Sequence, residues 1–144
     1  MKILVGIVFV FLPLICGAQD WKESYQEAIT MAQKEDKPII LVFSGSDWCA
    51  PCIKLDRDIW QSDEFKAYAK QNYVVYKADF PRKKENKLKE QLVQQNKELA
   101  DRYNPKGYFP LVLVLDKNGK TLGEMGYQKT TPKEYITLLN SYGK

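Results

Sequence analysis

The sequence contains no histidine, and only three of its 144 residues are cysteine. Structural zinc sites and iron–sulfur clusters usually take four cysteine or histidine ligands. The chain does not contain such a set, so we predict neither a metal site nor a bound cofactor. Three cysteines are also too few for the disulfide framework that holds many small secreted domains together.

Positive charge is only in small excess, and long apolar runs are absent. The formal net charge of +4 is too weak to indicate a nucleic-acid partner. The almost wholly apolar stretch 3–15 has about 13 residues, whereas a transmembrane helix needs about 20. This stretch follows the positively charged Met1-Lys2 and precedes three small residues, 16–18, which is the pattern of a signal peptide.

We therefore predict a signal peptide over residues 1–18 and one domain over residues 19–144, exported to the periplasm or the extracellular space. We expect this domain to be a monomer. Two alternatives remain, an uncleaved membrane anchor and a lipid attached to Cys16 as in bacterial lipoproteins. Ile15 argues against the lipid, because such signals have a small residue at that position.

Residues 48–52, with the sequence Trp-Cys-Ala-Pro-Cys, give the strongest chemical signal in the chain. They follow an apolar run of strand length at residues 38–43 and precede a segment whose apolar residues share one helical face. Cys49 should therefore lie at or near a helix N-terminus, where unpaired N–H groups and the helix dipole stabilise an anion. A thiolate is such an anion, and it is the nucleophilic form of cysteine.

The spacing of the motif favours a redox dithiol. Pro51 suits the first helical turn, where its missing N–H is not needed, and Cys52 can close back on Cys49 in a small disulfide ring. A structural disulfide and half of a metal site remain as alternatives. Ile53 follows the second cysteine where a c-type haem attachment signal would have histidine, so haem attachment is excluded.

The rest of the chain predicts alternating helices and strands, without repeats or an internal linker. The predicted helices cover residues 20–34 with Asp20 as N-cap, 62–70, 97–103 and a segment starting at the Thr131-Pro132 capping box. The predicted strands cover residues 38–43, 73–78, 111–115 and 120–127. The polar segment 82–96 is interpreted as a solvated loop and helix; the alternative is a docking patch for an acidic partner.

This order of elements, with the cysteine pair after the first strand, resembles the thioredoxin family. Phe109-Pro110 stands directly before the predicted strand 111–115, where thioredoxins carry a cis-proline. The resemblance covers about residues 37–142 and implies an α/β, thioredoxin-like fold. In that fold a central mixed β-sheet is flanked by helices, here with an extra N-terminal helix. The leader and the long polar insert are similar to those of exported bacterial thioredoxin-like proteins.

The resemblance implies a role for each residue of the motif. Cys49 would attack a substrate disulfide, and Cys52 would resolve the mixed disulfide that forms. Trp48 would cover the site, and the alternative for it is a plain core residue. Ala50 and Pro51, between the cysteines, would tune the stability of the thiolate and hence the redox potential.

The resemblance also implies a substrate-binding edge at Phe109 and Pro110. A cis-proline here would pack beside the sulfurs and leave neighbouring backbone groups free to pair with an extended substrate strand. The alternative is an ordinary trans proline at the start of a strand. Phe109 replaces the small residue usual before the cis-proline, so we expect the specificity of this chain to differ from that of thioredoxins.

A second departure concerns proton transfer from the resolving cysteine. Thioredoxins bury a carboxylate in the first core strand that helps to deprotonate this cysteine, and Phe43 stands at the equivalent position here. Asp47 or a water molecule would then take the role, or Cys52 would be poorly activated.

The direction of electron flow follows from what lies between the cysteines. Strong oxidants of this fold often place a histidine there, and Ala50-Pro51 provides no such group. We therefore expect a reducing or isomerising enzyme that acts on protein disulfides and receives electrons from a membrane-embedded dithiol donor. Two alternatives remain, a chaperone-like binding module with a permanently oxidised pair and a dedicated reductase of apocytochrome c.

Overall fold

The computed structural model describes residues 17–143. Its helices are α1 (Tyr25–Glu35), α2 (Ala50–Leu55), α3 (Asp63–Asn72), α4 (Glu90–Tyr103) and α5 (Pro132–Tyr142). Its strands are β1 (Ile39–Ser44), β2 (Val74–Asp79), β3 (Leu111–Leu115) and β4 (Thr121–Met125). A π-helical turn (Asp56–Trp60) continues α2, and a 3-10 turn (Lys84–Asn86) precedes α4.

The strands form one mixed sheet in the order β2-β1-β3-β4. β1 runs parallel to β2 and antiparallel to β3, and β3 pairs with β4 in an antiparallel hairpin. Every residue of β1 and β3 is buried, as the continuous apolar sequences of two central strands require. The predicted central mixed sheet flanked by helices is confirmed.

Helices cover both faces of the sheet. On one face Trp60 packs edge-on against Phe65 and Tyr135, with ring centroids 4.7 and 5.4 Å away. On the other face α1 and α4 pack through small and aliphatic side chains such as Ala28 and Leu99. β1 is thus fixed between two apolar layers, and its C-terminal end is a rigid base for the loop that carries the cysteines.

The predicted start of the first helix at residue 20, with Asp20 as its cap, is wrong. The helix begins at Tyr25, and the Ser24 hydroxyl caps it by accepting a hydrogen bond from the Glu27 N–H. The preceding backbone is extended because Trp21 forms a parallel bridge with Val75 of β2. Pairing with the sheet edge therefore prevails over the helical pattern of these residues.

The helix predicted over residues 97–103 is too short. The observed helix, α4, starts at Glu90 and includes the second half of the polar segment 82–96. Its polar sequence conceals a buried amide: Asn96 accepts a hydrogen bond from the Tyr76 hydroxyl (2.6 Å) and donates one to the Asp79 carbonyl (3.1 Å). A buried polar group of this kind needs such partners, and here they attach α4 to β2.

The other predicted elements lie within a few residues of their observed bounds. The Thr131–Glu134 capping box and the proline in the first turn of α5 are confirmed. Within residues 17–143 each helix is too short or too polar to cross a membrane. Residues 1–16 of the predicted signal peptide, including Cys16, lie outside the described residues, so that prediction remains an expectation.

Candidate active site

The cysteine pair lies where β1 gives way to α2. Cys49 is the N-cap of α2, and its Sγ atom accepts a hydrogen bond from the Cys52 N–H (3.3 Å). Pro51 lies in the first helical turn, so its missing N–H leaves no helical hydrogen bond unmade. The predicted placement of Cys49 at a helix N-terminus is confirmed.

The two cysteines are joined by a disulfide bond and are largely buried, with 5% of Cys49 and 3% of Cys52 exposed. Ala50 and Pro51 between them are exposed, and so is Ile53 at 46%. A partner can therefore contact the loop and the start of α2 directly, while the two cysteines expose little surface to solvent.

Pro110 approaches the same end of the sheet from the other direction. The Phe109–Pro110 peptide bond is cis, as expected from the resemblance, and it leads directly into β3. Because Leu111 pairs with Phe43 near the C-terminal end of β1, the proline and the cysteine loop lie at the same end of the two central strands. Tyr108 just before them is 55% exposed, which extends the apolar surface at this edge.

Trp48 is held from three sides. Its Nε1–H donates to the Phe80 carbonyl (2.7 Å), its ring lies 5.4 Å from that of Phe109, and the Arg82 guanidinium stacks over it at 3.8 Å. A side chain at Gly45 would overlap the indole, so glycine is required there. Trp48 is half-buried, which fits a cover over the site better than a plain core residue.

Aromatic rings fill the space under this cover. Phe43 is fully buried and stacks on Phe80 (centroids 6.4 Å apart), and Phe80 meets Phe109 edge-on at 5.4 Å. The position at which thioredoxins bury a carboxylate is therefore occupied here by the first member of an apolar column.

Asp47 does not have the environment of a proton acceptor for Cys52. Its carboxylate accepts hydrogen bonds from the backbone N–H groups of Arg82 and Lys83 and from the Asn86 side chain, all at 3.0 Å. These bonds, led by that of Arg82, hold the pKa of Asp47 below its usual value, so the group stays ionised and fixes the loop before α4. The suggestion that Asp47 deprotonates Cys52 is not supported.

Replacing Asp47 with asparagine should loosen this loop in a pH-dependent way. A carboxylate whose pKa is lowered by folding stabilises the protein above its unfolded pKa, and that contribution is lost as the pH falls through the folded value. We therefore expect Asp47→Asn to lower the free energy of unfolding at pH 7 and to have little effect near pH 2. Denaturant unfolding at both pH values measures this, with Asp101→Asn on the surface of α4 as the control. An equal deficit at the two pH values would contradict it.

Sequence reasoning missed the parts of the site contributed by Phe80 and Arg82. The order of the predicted strands 38–43 and 73–78 offers a signal, because the two strands prove to be parallel neighbours and the residues that follow such strands emerge at the same end of a sheet. From the sequence, Phe80 is interpreted only as part of the break after the second strand. Arg82 is interpreted as part of the polar segment 82–96, a solvated loop and helix or, alternatively, a docking patch for an acidic partner. Within residues 17–143, no three histidine, cysteine or acidic side chains lie close enough together to hold a metal ion.

Comparison with known proteins agrees with this geometry. The thioredoxin-like domain family matches residues 25–143. The disulfide bond reductase DsbH of Chlamydia pneumoniae is 38% identical over 129 residues, which cover 90% of this chain and 75% of that protein. The thioredoxin-related protein DsbJ of the same organism is 26% identical over 134 residues, which cover 88% of this chain but 38% of that protein.

A solved structure of a DsbH oxidoreductase superposes with a TM-score of 0.81 and 34% identity, covering 96% of this chain and 94% of that one. A match of this extent includes the sheet, both helical layers and the loop that carries the cysteines. The chain therefore belongs to the thioredoxin-like family, as one of its thiol:disulfide oxidoreductases.

Proposed function

We propose that this protein reduces or isomerises protein disulfides outside the cytoplasm through Cys49 and Cys52. The observation that carries the proposal is the disulfide between these residues at the start of α2, at the same sheet edge as the cis-proline Pro110. The similarity to a disulfide bond reductase supports the reducing direction.

The reaction begins with the reduced protein. The Cys49 thiolate attacks one sulfur of the client disulfide, so that a Cys49–client bond forms and the client's S–S bond breaks. The departing client sulfur takes up a proton. Cys52 then loses its proton and attacks Cys49 Sγ, which closes the Cys49–Cys52 disulfide and releases the second client thiol. Two electrons pass from the protein to the client, and one protein disulfide replaces one client disulfide.

Binding of the client uses the exposed edge beside the cysteines. As in thioredoxins, backbone groups next to the cis-proline Pro110 would pair with an extended client strand, and Trp48, Phe109, Ala50 and Pro51 would provide apolar contacts around the sulfur atoms. The hydrogen-bond donor for Cys49 comes from its own helix. The Cys52 N–H already donates to Cys49 Sγ and would stabilise the thiolate in the reduced protein. A water molecule is the remaining candidate to accept the Cys52 proton.

Repeated turnover needs a source of electrons, since each cycle leaves the protein oxidised. Outside the cytoplasm we propose a membrane-embedded dithiol as the donor, acting on a monomeric protein exported by the signal peptide at residues 1–18. The donor reverses the chemistry of the client step: its thiolate attacks the Cys49–Cys52 disulfide and its own disulfide is released.

The redox potential tests the reducing direction. We expect a value toward about −270 mV, as for thioredoxin, rather than near −120 mV, as for a strong oxidant. A Pro51→His variant should shift the potential upward by tens of millivolts, since about 30 mV corresponds to 1.4 kcal/mol for this two-electron couple. Equilibration with glutathione or dithiothreitol measures the redox potentials of both proteins. A wild-type potential near about −120 mV, the value of a strong oxidant, would exclude a reductase.

A further inference from the structure

A groove of about 450 Å³ runs along the start of α4, beside the redox site. Its apolar floor is formed by Phe80, Pro81, Leu88 and Val93, and Val93 is 40% exposed. Phe80 belongs to both sites, because its carbonyl receives the Trp48 hydrogen bond and its ring contacts Phe109. The groove is thus continuous with the cover of the cysteine pair.

The rim of the groove is strongly basic. It carries Arg82, Lys83, Lys84, Lys87 and Lys97. In the part of the chain that the structure describes, the ion pairs use other lysines and arginines, so these five charges are not neutralised by a carboxylate at ion-pair distance. The one acidic residue of the lining, Asp79, has its carboxylate bound to the N–H and hydroxyl of Ser46.

The groove is already formed without a partner. The Asp47 carboxylate ties down one wall through Arg82, Lys83 and Asn86, and Asn96 attaches the other wall to β2. A site fixed in this way loses little conformational entropy when it binds. Its apolar floor and basic rim complement an extended segment that alternates aliphatic and acidic side chains.

We propose that this groove binds a segment of the protein client that flanks the client's cysteine and alternates acidic side chains with aliphatic ones such as leucine. The inference rests on the proposed disulfide-reductase function and adds a specificity site to it. A client bound along the groove enters the redox site past Arg82, which stacks on Trp48 at 3.8 Å. The concave, confined shape favours a peptide segment over a membrane surface, which would need projecting apolar side chains.

Disulfide-linked peptide dimers provide the test. Three peptides share one cysteine core and carry tails of alternating Glu-Leu, Gln-Leu or Lys-Leu residues. The rate at which the reduced protein reduces each is compared for the wild type, for Lys84→Glu/Lys87→Glu in the groove, and for Lys34→Glu/Lys70→Glu. The last variant changes the net charge equally at the opposite end of the sheet, near the start of β1 and β2.

We expect the wild type and the control to reduce the acidic peptide about fivefold to tenfold faster than the neutral one. The groove variant should lose or reverse this preference while still reducing the neutral peptide at the wild-type rate. The preference should also vanish at 1 M salt, where the Debye length is about 3 Å. A Leu88→Ser variant should slow the reduction of every leucine-containing tail without changing the order of preference.

An unchanged acidic preference in the groove variant would overturn the proposal. So would binding of phosphatidylglycerol vesicles that the groove variant abolishes while the peptide preference stays the same, because a lipid surface would then be the occupant. Failure of the reductase function gives a different result, in which none of the proteins reduces any of the peptides.

Discussion

Replacing Cys49 with serine is expected to reduce disulfide-reductase activity by several orders of magnitude, as removal of a catalytic nucleophile usually does. A serine hydroxyl does not ionise near neutral pH and cannot form the bond to the client's sulfur. The measurement is the rate of insulin reduction with dithiothreitol as the electron source. The fold should persist, since Cys49 contributes a short side chain at a helix cap.

The matched control for this prediction is Cys52→Ala, which keeps the nucleophile and removes the resolving sulfur. It should accumulate a mixed disulfide between Cys49 and the client, visible on a non-reducing gel and absent from Cys49→Ser. If Cys49→Ser were as active as the wild type, or if neither protein were active, the chain would be a binding module with a non-catalytic disulfide.

The largest expected effect on stability is that of Phe43→Ala. Phe43 is fully buried at the C-terminal end of β1 and is the base of the ring column that continues through Phe80 and Phe109. Truncating a buried phenylalanine leaves a cavity and costs about 3–5 kcal/mol in the free energy of unfolding. For a domain of this size the melting temperature should fall by about 10–20 °C.

Phe43→Leu separates packing from the presence of a ring. Leucine keeps most of the buried volume, so we expect a loss of less than about 1.5 kcal/mol and normal reductase activity. Differential scanning calorimetry and denaturant unfolding measure both variants. Near wild-type stability of Phe43→Ala would mean that the ring column does not support the loop that carries the cysteines.

The sequence was sufficient to predict the elements that form and support the redox pair. The apolar runs at β1 and β3 are of strand length and have no polar alternation, which is the pattern of buried central strands. The motif at residues 48–52 required a helix start after β1, and Cys49 is found there as the N-cap. The cis bond before Pro110 was predicted only from the resemblance to thioredoxins, because local sequence does not determine the isomer.

What could not be predicted depends on contacts between distant parts of the chain. Trp21 was placed in a helix because its spacing is helical, but a bridge to Val75 holds it at the sheet edge. The burial of Asn96 could not be predicted from its local sequence, because its hydrogen-bond partners, Tyr76 and Asp79, lie on β2. Asp47 and Arg82 are 35 positions apart, and only the parallel pairing of β1 with β2 brings them together.

The basic segment before α4 shows the same limit. The sequence favours a solvated loop and helix over residues 82–96, with a docking patch for an acidic partner as the alternative, because charge alone does not indicate a concave surface. The floor under them comes from Phe80 and Pro81, which follow β2, and from Leu88 and Val93, which lie within and after the basic run. The groove needs the apolar residues that follow β2 as well as those of the polar segment, and only the fold shows that the two groups line one surface.

The ionisation of Cys49 in the reduced protein tests the central claim most directly. The claim is that the amide groups at the start of α2 stabilise its thiolate, so the rate of alkylation by iodoacetamide should rise through a pKa well below about 8.5, the ordinary value for cysteine. Cys52→Ala leaves Cys49 as the only redox-site thiol for this titration. A midpoint at or above 8.5 would contradict the account, because the helix start would then give the cysteine no advantage.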